Sequence, residues 1–592
     1  MDPNRAFDFK IICDPFVTRE KVFFTLNWSE KNEYKSCVCS FDGEIVQKIT
    51  SGGKERSPSL KGSELYYIQS KSGVDYLVKQ PSGASPVEVF RFKKILKYSM
   101  KGDDVYALVE DKRIKSRLFI TDRIKYGMDG RGLLVTRRKL VRVSGSGIKT
   151  IVEGEFDVHD FQVTASQIIF ISSEGLDDTD LATQHIFTYD LENGELRRVT
   201  QGLGSALMVS TDGEGKIAYV GHREGATLST PNTLIFPETG KKVEIGNDIN
   251  YVFTDMFPSG QNRLLWDDGF YTIAMVGGNN YLFRYKDEVL KMTKEGVSIL
   301  DFNVSSGSIA YVYSSFKKPS VLSFNGREYD PNQDFEGTQA ERDKVGAIDY
   351  WTMISDRGNP TILYVHGGPH DAYGPVYFCE HDFMAKNGFN VIFANPTGSA
   401  GYGRDFEEGC IGNWGPGPLR DLISVLDHAK SKYNLKENFQ ISGLSYGGYM
   451  AAYAITQTNR FLSAVSEDPV TNLFTMCGTS DIGFWYLPKE FAIDDPWKPE
   501  NVVKLIEMSP IFRAKNVSTP TLFVHGEEDL RCPIEQSEQM YRALRMNNVE
   551  SKLVRIKGES HLLSIEGAPS VKKDRLRLKL KWFRDHSKKT FP

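Results

Sequence analysis

The first 330 residues contain short runs of alternating or aromatic-rich apolar residues, bounded by Gly, Asp, Asn and Ser. This pattern is typical of half-buried antiparallel strands. One kind of run recurs seven times, with copies that begin at residues 21, 64, 104, 167, 216, 263 and 308. Five of the six steps span 40 to 49 residues, the length of a four-stranded propeller blade. We therefore predict an all-β seven-bladed β-propeller over residues 16–330, with an insertion in the third unit around residues 123–138; a large sandwich or two stacked β domains are the alternatives.

After residue 330 the pattern changes to continuous apolar runs separated by amphipathic segments. The runs are typical of strands buried on both faces of a parallel sheet. Apolar residues at three- and four-residue intervals predict helices over residues 419–432, 446–456, 534–546 and 574–587. We therefore predict an α/β domain over residues 331–592.

Composition excludes several classes of protein. The chain has 40% hydrophobic and 25% charged residues, as globular proteins have and disordered chains do not. A net charge of -4 provides no basic surface for nucleic acid or anionic lipid. The seven cysteines form an odd set without disulfide or zinc-ribbon spacing, so we expect reduced thiols. No signal sequence or membrane span is visible, and a cytoplasmic location is expected.

The strongest local signal is Gly443-Leu-Ser445-Tyr-Gly447, which lies directly after an apolar run and directly before a helical pattern. A tight strand-to-helix turn leaves no room for side chains two positions from the serine, and it exposes the hydroxyl. Ser445 is therefore the candidate nucleophile. A glycine-rich helix start with an incidental serine is the alternative.

A serine nucleophile needs a histidine base and an orienting carboxylate. His561 follows the run at residues 552–556, and Asp529 lies in a loop after the run at residues 521–524. The order Ser445, Asp529, His561 is that of α/β-hydrolases, which makes these residues the predicted catalytic triad. The other candidates, Glu527, Glu528, His525 and His586, are interpreted as structural or solvated.

Donors for an oxyanion are predicted from a second loop. Val365-His-Gly-Gly368-Pro follows the first run of the α/β domain, in the manner of HGGG-type loops. We expect the Gly368 and Tyr446 amides to form the oxyanion hole, although a simple tight turn would also explain the glycines. The sequence contains no phosphate loop, zinc helix or dinucleotide fingerprint in a usable context, so neither a cofactor nor a metal is expected.

With these motifs the chain resembles the prolyl oligopeptidase family of serine peptidases, and most closely its acylaminoacyl-peptidase branch. The resemblance covers nearly the whole chain and is most specific in the strings that begin at His366, Asn395, Gly443, Gly478, His525 and Gly558. It implies a seven-bladed propeller that caps an α/β-hydrolase domain, an active site between the two, and short peptides as substrates. It also implies that residues 1–15 pack on the hydrolase domain.

The resemblance further implies a substrate-binding role for three residues. Arg531 matches a family position that binds a substrate carbonyl, and a surface salt bridge is the alternative. Phe484 and Trp485 match apolar residues of the pocket before the scissile bond, and core packing is the alternative. Two positions depart from the family pattern, since Thr397 replaces an arginine and Leu562 replaces a glycine.

The favoured activity is release of N-acylated amino acids from short blocked peptides. A dipeptidyl peptidase or oligopeptidase, a carboxylesterase and a propeller-based binding scaffold with an inactive hydrolase domain are the alternatives. We expect peptide substrates, no nucleic-acid or membrane partner, and a homo-oligomer, a dimer or higher.

Overall fold

The computed structural model describes residue 2 and residues 6–110, 118–133, 138–153, 156–173, 183–225, 228–250, 252–258 and 260–587. In this part of the chain, seven four-stranded antiparallel sheets precede one eight-stranded mixed sheet. The seven-bladed propeller and the α/β-hydrolase architecture predicted from the sequence are thereby confirmed.

The strands of the propeller follow one another along the chain in blade order. They are β1 (Ile11–Val17), β2 (Val22–Glu30), β3 (Glu33–Phe41), β4 (Val46–Lys48), β5 (Glu55–Lys61), β6 (Glu64–Lys71), β7 (Val74–Gln80), β8 (Val87–Phe92), β9 (Lys94–Lys101), β10 (Asp104–Glu110), β11 (Gly127–Met128), β12 (Gly132–Leu133), β13 (Arg138–Ser144), β14 (Gly147–Val152), β15 (Asp157–Val163), β16 (Gln167–Ser173), β17 (His185–Asp190), β18 (Leu196–Arg198), β19 (Ala206–Thr211), β20 (Ile217–Gly221), β21 (Thr233–Phe236), β22 (Lys241–Val243), β23 (Leu265–Trp266), β24 (Phe270–Val276), β25 (Asn279–Tyr285), β26 (Val289–Lys291), β27 (Ser298–Ser305), β28 (Ser308–Ser314), β29 (Val321–Phe324) and β30 (Arg327–Tyr329).

The first and seventh blades close the ring without exchanging a strand, because each blade is built from one continuous stretch. The β1 strand lies against the seventh blade, where Ile12 N–H donates to Ser320 Oγ at 2.9 Å and Val17 N–H donates to Asn303 Oδ1 at 3.0 Å. Apolar residues of both blades share one buried cluster. Packing and side-chain hydrogen bonds therefore hold the ring closed.

Two sequence interpretations differ from the structure in detail. Six of the seven repeat copies lie at the second strand of a blade, but the sixth, at residues 263–266, lies at the first strand β23, and its second strand is β24. The two Asp residues and the Gly after Trp266 resemble the turn residues that follow the second strand in other blades, so the sequence assigns this run to the wrong strand.

The β1 strand begins at Ile11, before the predicted start of the propeller at residue 16. A bulge between Cys13 and Phe16 interrupts its alternation and conceals it in the sequence.

The insertion of the third blade contains a small hairpin, β11–β12, which stands apart from the sheet formed by β9, β10, β13 and β14. Residues 134–137 of the predicted insertion lie outside the described residues. The hairpin extends to the catalytic domain, where Asp129 contacts loops described below.

The catalytic domain surrounds a sheet with the strand order β31-β32-β34-β33-β35-β36-β37-β38. Its elements are β31 (Glu341–Val345), β32 (Ile348–Met353), β33 (Thr361–Val365), α1 (Cys379–Lys386), β34 (Asn390–Asn395), α2 (Arg404–Glu407), α3 (Pro416–Tyr433), β35 (Phe439–Leu444), α4 (Tyr446–Gln457), β36 (Phe461–Glu467), α5 (Leu473–Thr479), α6 (Gly483–Glu490), α7 (Pro499–Met508), β37 (Thr521–Gly526), α8 (Glu535–Met546), β38 (Ser551–Ile556) and α9 (Pro569–Asp585). Short 3₁₀ turns occur at Glu408–Cys410 and Pro510–Asn516. The strands from β34 to β38 in this order run parallel, whereas β31 and β32 form an antiparallel edge.

Several contacts tie the propeller to the catalytic domain. Both carboxylate oxygens of Asp255 accept hydrogen bonds from the first amides of α1, those of Cys379 at 2.7 Å and Glu380 at 2.8 Å. A propeller residue therefore caps a catalytic-domain helix. At the N-terminus, Phe7 and Phe9 belong to the apolar cluster on one face of the catalytic sheet. The remaining domain limits given by the sequence stay predictions.

Among the described residues, none of the helices is both long and apolar enough to cross a bilayer.

Candidate active site

Ser445 occupies a sharp turn between β35 and α4, with φ 60° and ψ -120°. This backbone conformation is uncommon for a residue with a side chain, and it directs Ser445 out of the sheet. An added Cβ at Gly443 would lie 2.3 Å from the backbone of Gly447, and one at Gly447 would lie 2.1 Å from the Val365 carbonyl oxygen. Both flanking glycines are therefore required by close backbone packing, as the sequence predicts.

The three predicted triad residues lie in loops at the carboxyl end of the parallel strands, after β35, β37 and β38. His561 Nε2 lies 2.9 Å from Ser445 Oγ, and His561 Nδ1 lies 2.7 Å from Asp529 Oδ2. Asp529 and His561 are buried, with 3% and 5% of their surfaces exposed. Asp529 lies 84 positions after Ser445, and His561 lies 32 positions after Asp529. The three side chains nevertheless form one continuous hydrogen-bonded series.

The surroundings of Asp529 keep its carboxylate ionised. Burial alone would raise its pKa, but the electrostatic attraction and hydrogen bonds of the His561 and His525 imidazoles outweigh burial and hold the pKa well below its usual range. The amides of Arg531 and Cys532 each donate to Asp529 Oδ1 at 2.8 Å. A fixed anion of this kind can orient the imidazole and stabilise its protonated form.

A second buried carboxyl lies beside this anion. The pKa of Asp468 is raised well above its usual range by burial and by the charge of Asp529. Its Oδ1 atom accepts the Gly526 amide at 2.9 Å. The pair therefore holds one negative charge, on Asp529.

The alternative bases and acids have partners other than Ser445, and His525 Nε2 also lies 3.4 Å from Asp529 Oδ2. His525 is fully buried and contacts Ser537 Oγ and the Cys532 carbonyl, both at 2.7 Å. His586 contacts the Trp582 carbonyl in α9. Glu527 pairs with the exposed Arg555 at 3.0 Å. Within the described part of the chain, none of these three side chains is hydrogen-bonded to Ser445.

The predicted oxyanion donors flank the serine. Tyr446 is the first residue of α4, so its amide has no acceptor within the helix. On the other side, a Cβ at Gly367 would lie 3.7 Å from Ser445 Cβ, which places the loop after β33 against the nucleophile. Gly368 is exposed and has φ 106°. The Tyr446 and Gly368 amides therefore stay the predicted donors.

The predicted substrate-binding residues occupy two neighbouring elements. Arg531 Nε and Nη2 bind Asp481 at 2.8 and 3.2 Å, and 34% of the arginine side chain is exposed. Phe484 and Trp485 lie half-buried in α6, and Trp485 packs against the domain core. The next residue, Tyr486, donates to the Gly368 carbonyl at 3.5 Å, which brings α6 to the predicted oxyanion loop.

The sequence contains little indication of one acid at the site, Asp129. Asp129 in the propeller hairpin accepts hydrogen bonds from the amides of Leu530 and His561, and its own amide donates to Asp481. The only signal was the Met-Asp-Gly turn inside the predicted insertion. A cavity of about 470 Å³ lies beside this contact. It is lined from the propeller by Gly130, Gly132 and Leu133 and from the catalytic domain by Glu528, Leu530, Gly558, Glu559, Ser560, Leu562, Glu566 and Gly567.

Two groups among the described residues have the composition of metal ligands. His370, Cys410 and Glu490 form one group, and Asp468, His525 and Asp529 form the other. Glu490 already accepts hydrogen bonds from His370 and from Trp414. In the second group, His525 Nε2 lies 3.4 Å from Asp529 Oδ2.

Two family models match the chain. Residues 25–319 match the N-terminal β-propeller domain of acylaminoacyl-peptidase, and residues 375–590 match the prolyl oligopeptidase family. Among curated proteins, peptidase YuxL of Bacillus subtilis is 39% identical over 40% of this chain and 36% of its own length. Acylamino-acid-releasing enzyme 1 of rice, Oryza sativa subsp. japonica, is 31% identical over 34% of this chain and 27% of its own length. The matched region thus spans about a third of these relatives.

A solved structure of Pyrococcus horikoshii acylaminoacyl peptidase matches 99% of this chain and 98% of its own chain, with a TM-score of 0.88 and 21% identity. At this identity the likeness establishes the fold of both domains together. The two family models, over residues 25–319 and 375–590, show that this chain belongs to the prolyl oligopeptidase family.

Proposed function

We propose that this protein is a serine peptidase in which Ser445 is the nucleophile, His561 is the general base and Asp529 orients the imidazole. The observation that carries the proposal is the unbroken series of hydrogen bonds from Asp529 through His561 to Ser445. A serine hydroxyl becomes an effective nucleophile when an adjacent base takes its proton. The ionised state of Asp529 supports the protonated imidazole that this step creates.

The reaction proceeds through an acyl-enzyme. Ser445 Oγ attacks the substrate carbonyl carbon as its proton moves to His561 Nε2, and the carbonyl oxygen becomes an oxyanion. The Tyr446 and Gly368 amides stabilise this oxyanion. His561 then gives the proton to the leaving amine, and the carbon–nitrogen bond breaks. Water attacks the ester by the same route in reverse, which releases the acid and restores Ser445.

The preferred substrates are short N-acylated peptides, from which the enzyme releases the acylated amino acid. The likeness of the propeller to that of acylaminoacyl-peptidase supports this preference. Arg531 binds a substrate carbonyl through the exposed part of its guanidinium, while Asp481 fixes its orientation. Phe484 and Trp485 contribute the apolar pocket for the side chain before the scissile bond, and they belong to the helix whose Tyr486 contacts the Gly368 carbonyl.

A peptidase for free-amine peptides is the second candidate. Glu528, Glu559 and Glu566 line the cavity beside the triad, and carboxylates favour a cationic amino terminus over an acylated one. The two candidate functions use the same triad. They differ in whether this cavity binds an acylated or a free amino terminus of the substrate.

A panel of three substrates tests the proposal. An N-acetylated amino-acid anilide, a dipeptide anilide with a free amine and a short-chain ester are compared by kcat/KM. The proposal predicts that the acetylated substrate is preferred and that Ser445→Ala lowers hydrolysis of all three by about 10⁴-fold or more. Preference for the free-amine dipeptide would support the second candidate. Full activity of Ser445→Ala would contradict the mechanism and favour a scaffold with an inactive hydrolase domain.

A cytoplasmic location and assembly into a homo-oligomer also belong to this proposal. Size-exclusion chromatography with light scattering tests the assembly, and a monomer would contradict it.

A further inference from the structure

The hairpin that the third blade sends toward the catalytic domain ends in a carboxylate that bridges two catalytic loops. Asp129 Oδ1 accepts the Leu530 amide at 3.0 Å. The His561 amide lies 3.3 Å from Asp129 Oδ1 and 3.2 Å from Oδ2. Leu530 directly follows Asp529. One propeller side chain therefore binds the backbones of both the loop that carries Asp529, here called the acid loop, and the loop that carries His561, here called the histidine loop.

The backbone of Asp129 extends this contact to a third element. Its amide donates to Asp481 Oδ2 at 2.9 Å, and Asp481 also accepts from the Arg531 guanidinium at 2.8 Å. The Asp481 amide donates to the Leu530 carbonyl at 2.9 Å. The segment before α6, the acid loop and the histidine loop thus meet at a single residue of the propeller.

The propeller sets the position of the hairpin through Arg131. Arg131 Nε binds Glu110 of β10, and Arg131 Nη1 binds Asp157 of β15, both at 3.0 Å. Only 11% of the arginine side chain is exposed. Since β10 and β15 belong to the third and fourth blades, the place of Asp129 at the triad is fixed by the propeller body.

We propose that Asp129 is a positioning residue of the catalytic triad, supplied by the propeller, which holds the loops of Asp529 and His561 at their catalytic spacing. The inference deepens the proposed function and rests on it. Because Asp129 contacts backbone amides and not Ser445, it acts through the placement of His561. Small displacements of a catalytic group can lower the rate about 100-fold.

Asp129→Asn is the sharpest test, because it retains the shape of the side chain and exchanges one acceptor oxygen for a donor NH₂ group. With the remaining oxygen bound to the Leu530 amide, the NH₂ group takes the place of Oδ2 and faces the His561 amide, which is also a donor, so the histidine loop loses its shorter hydrogen bond and meets a repulsive contact. We expect kcat to fall by about 10- to 100-fold with KM within about twofold of the wild type. The rate at which a fluorophosphonate labels Ser445 should fall in parallel, because that reaction needs the triad and no peptide subsite.

Asp103→Asn is the matched control. Asp103 lies in the β9–β10 turn of the same blade, where its exposed side chain pairs with Lys61. The Asp103→Asn substitution removes the same charge as Asp129→Asn, and it should leave both kcat and the rate of fluorophosphonate labelling unchanged.

The outcomes separate the two proposals. Equal kcat and labelling rates in Asp129→Asn and the wild type would overturn this inference alone. A rise in KM with unchanged kcat would also overturn it, since it would place Asp129 in substrate binding. Failure of the wild type to react with the fluorophosphonate would overturn the proposed function and this inference with it. If Asp129→Asn does not fold, Arg131→Gln carries the test, with a fall in kcat expected and an unchanged kcat contradicting the inference.

Discussion

Gly447 lies so close to Val365 that an added Cβ would stand 2.1 Å from the Val365 carbonyl oxygen. The two residues belong to the beginning of α4 and the end of β33. The turn that carries Ser445 and the loop that begins at His366 are therefore packed backbone against backbone. This contact sets the distance between the nucleophile and the predicted oxyanion loop.

Gly447→Ala should disrupt this arrangement. Because the obstacle is a backbone carbonyl, α4 or β33 must shift, at a cost of about 1–3 kcal/mol in the free energy of unfolding. We expect kcat/KM to fall by about 100-fold or more as Ser445 and its donors separate. Gly145→Ala, at a position where a Cβ meets nothing within 4 Å, is the control. Equal kcat/KM values for the two variants would contradict the proposed role of the contact.

Much of the site follows from local sequence, because each triad residue lies in a short loop directly after a buried strand. Gly443 and Gly447 mark the serine turn, and the order of Ser445, Asp529 and His561 indicates the fold. The structure brings these residues together as that order predicts.

The contacts that were missed join distant parts of the chain. Asp129 is 401 residues from Leu530 and 432 residues from His561, and no local pattern marks a carboxylate that binds backbone amides. The antiparallel edge was also missed, because β31 is mostly exposed and charged and does not form an apolar run. Such elements depend on tertiary packing that periodicity does not report.

Asp371 should influence the pH dependence of activity. Burial raises the pKa of this carboxyl to about 6, although the charges of His370 and His561 oppose the rise. Above that pH the carboxylate stabilises the protonated imidazole of His561. Asp371→Asn removes this charge, so the acid limb of the kcat/KM profile should move to lower pH, by about half a unit. The measurement is kcat/KM from pH 5 to 9.

The exposed Asp405 provides the control for this experiment. Asp405→Asn should leave the profile in place. A shift of the Asp371→Asn profile to higher pH would contradict the predicted sign.

Cys532 should be inert although it adjoins the nucleophile. Its Sγ atom lies 4.0 Å from Ser445 Oγ. Burial raises the pKa of the thiol well above its usual range, and the charge of Asp529 raises it further. The thiolate is the reactive form, so iodoacetamide at pH 8 should leave activity nearly unchanged while a fluorophosphonate abolishes it. Inactivation by alkylation at Cys532 would contradict this account.

Arg575 should be important for stability. This α9 residue is 3% exposed and binds Glu467 and Glu380, which are also buried. Arg575→Met leaves these two carboxylates with Lys579 as their shared cation, and we expect a loss of about 3 kcal/mol in the free energy of unfolding. Urea unfolding followed by tryptophan fluorescence measures it. Arg577→Met, at an exposed ion pair in the same helix, should cost less than about 1 kcal/mol. Equal losses would contradict the assignment.

The central claim is that Ser445 is activated by His561. Its most direct test is the rate at which a fluorophosphonate modifies the protein, with the adduct located by peptide mass spectrometry. We expect a single adduct on Ser445 and a rate at least about 1,000-fold lower in His561→Ala. An adduct on another residue, or an unchanged rate in His561→Ala, would contradict it.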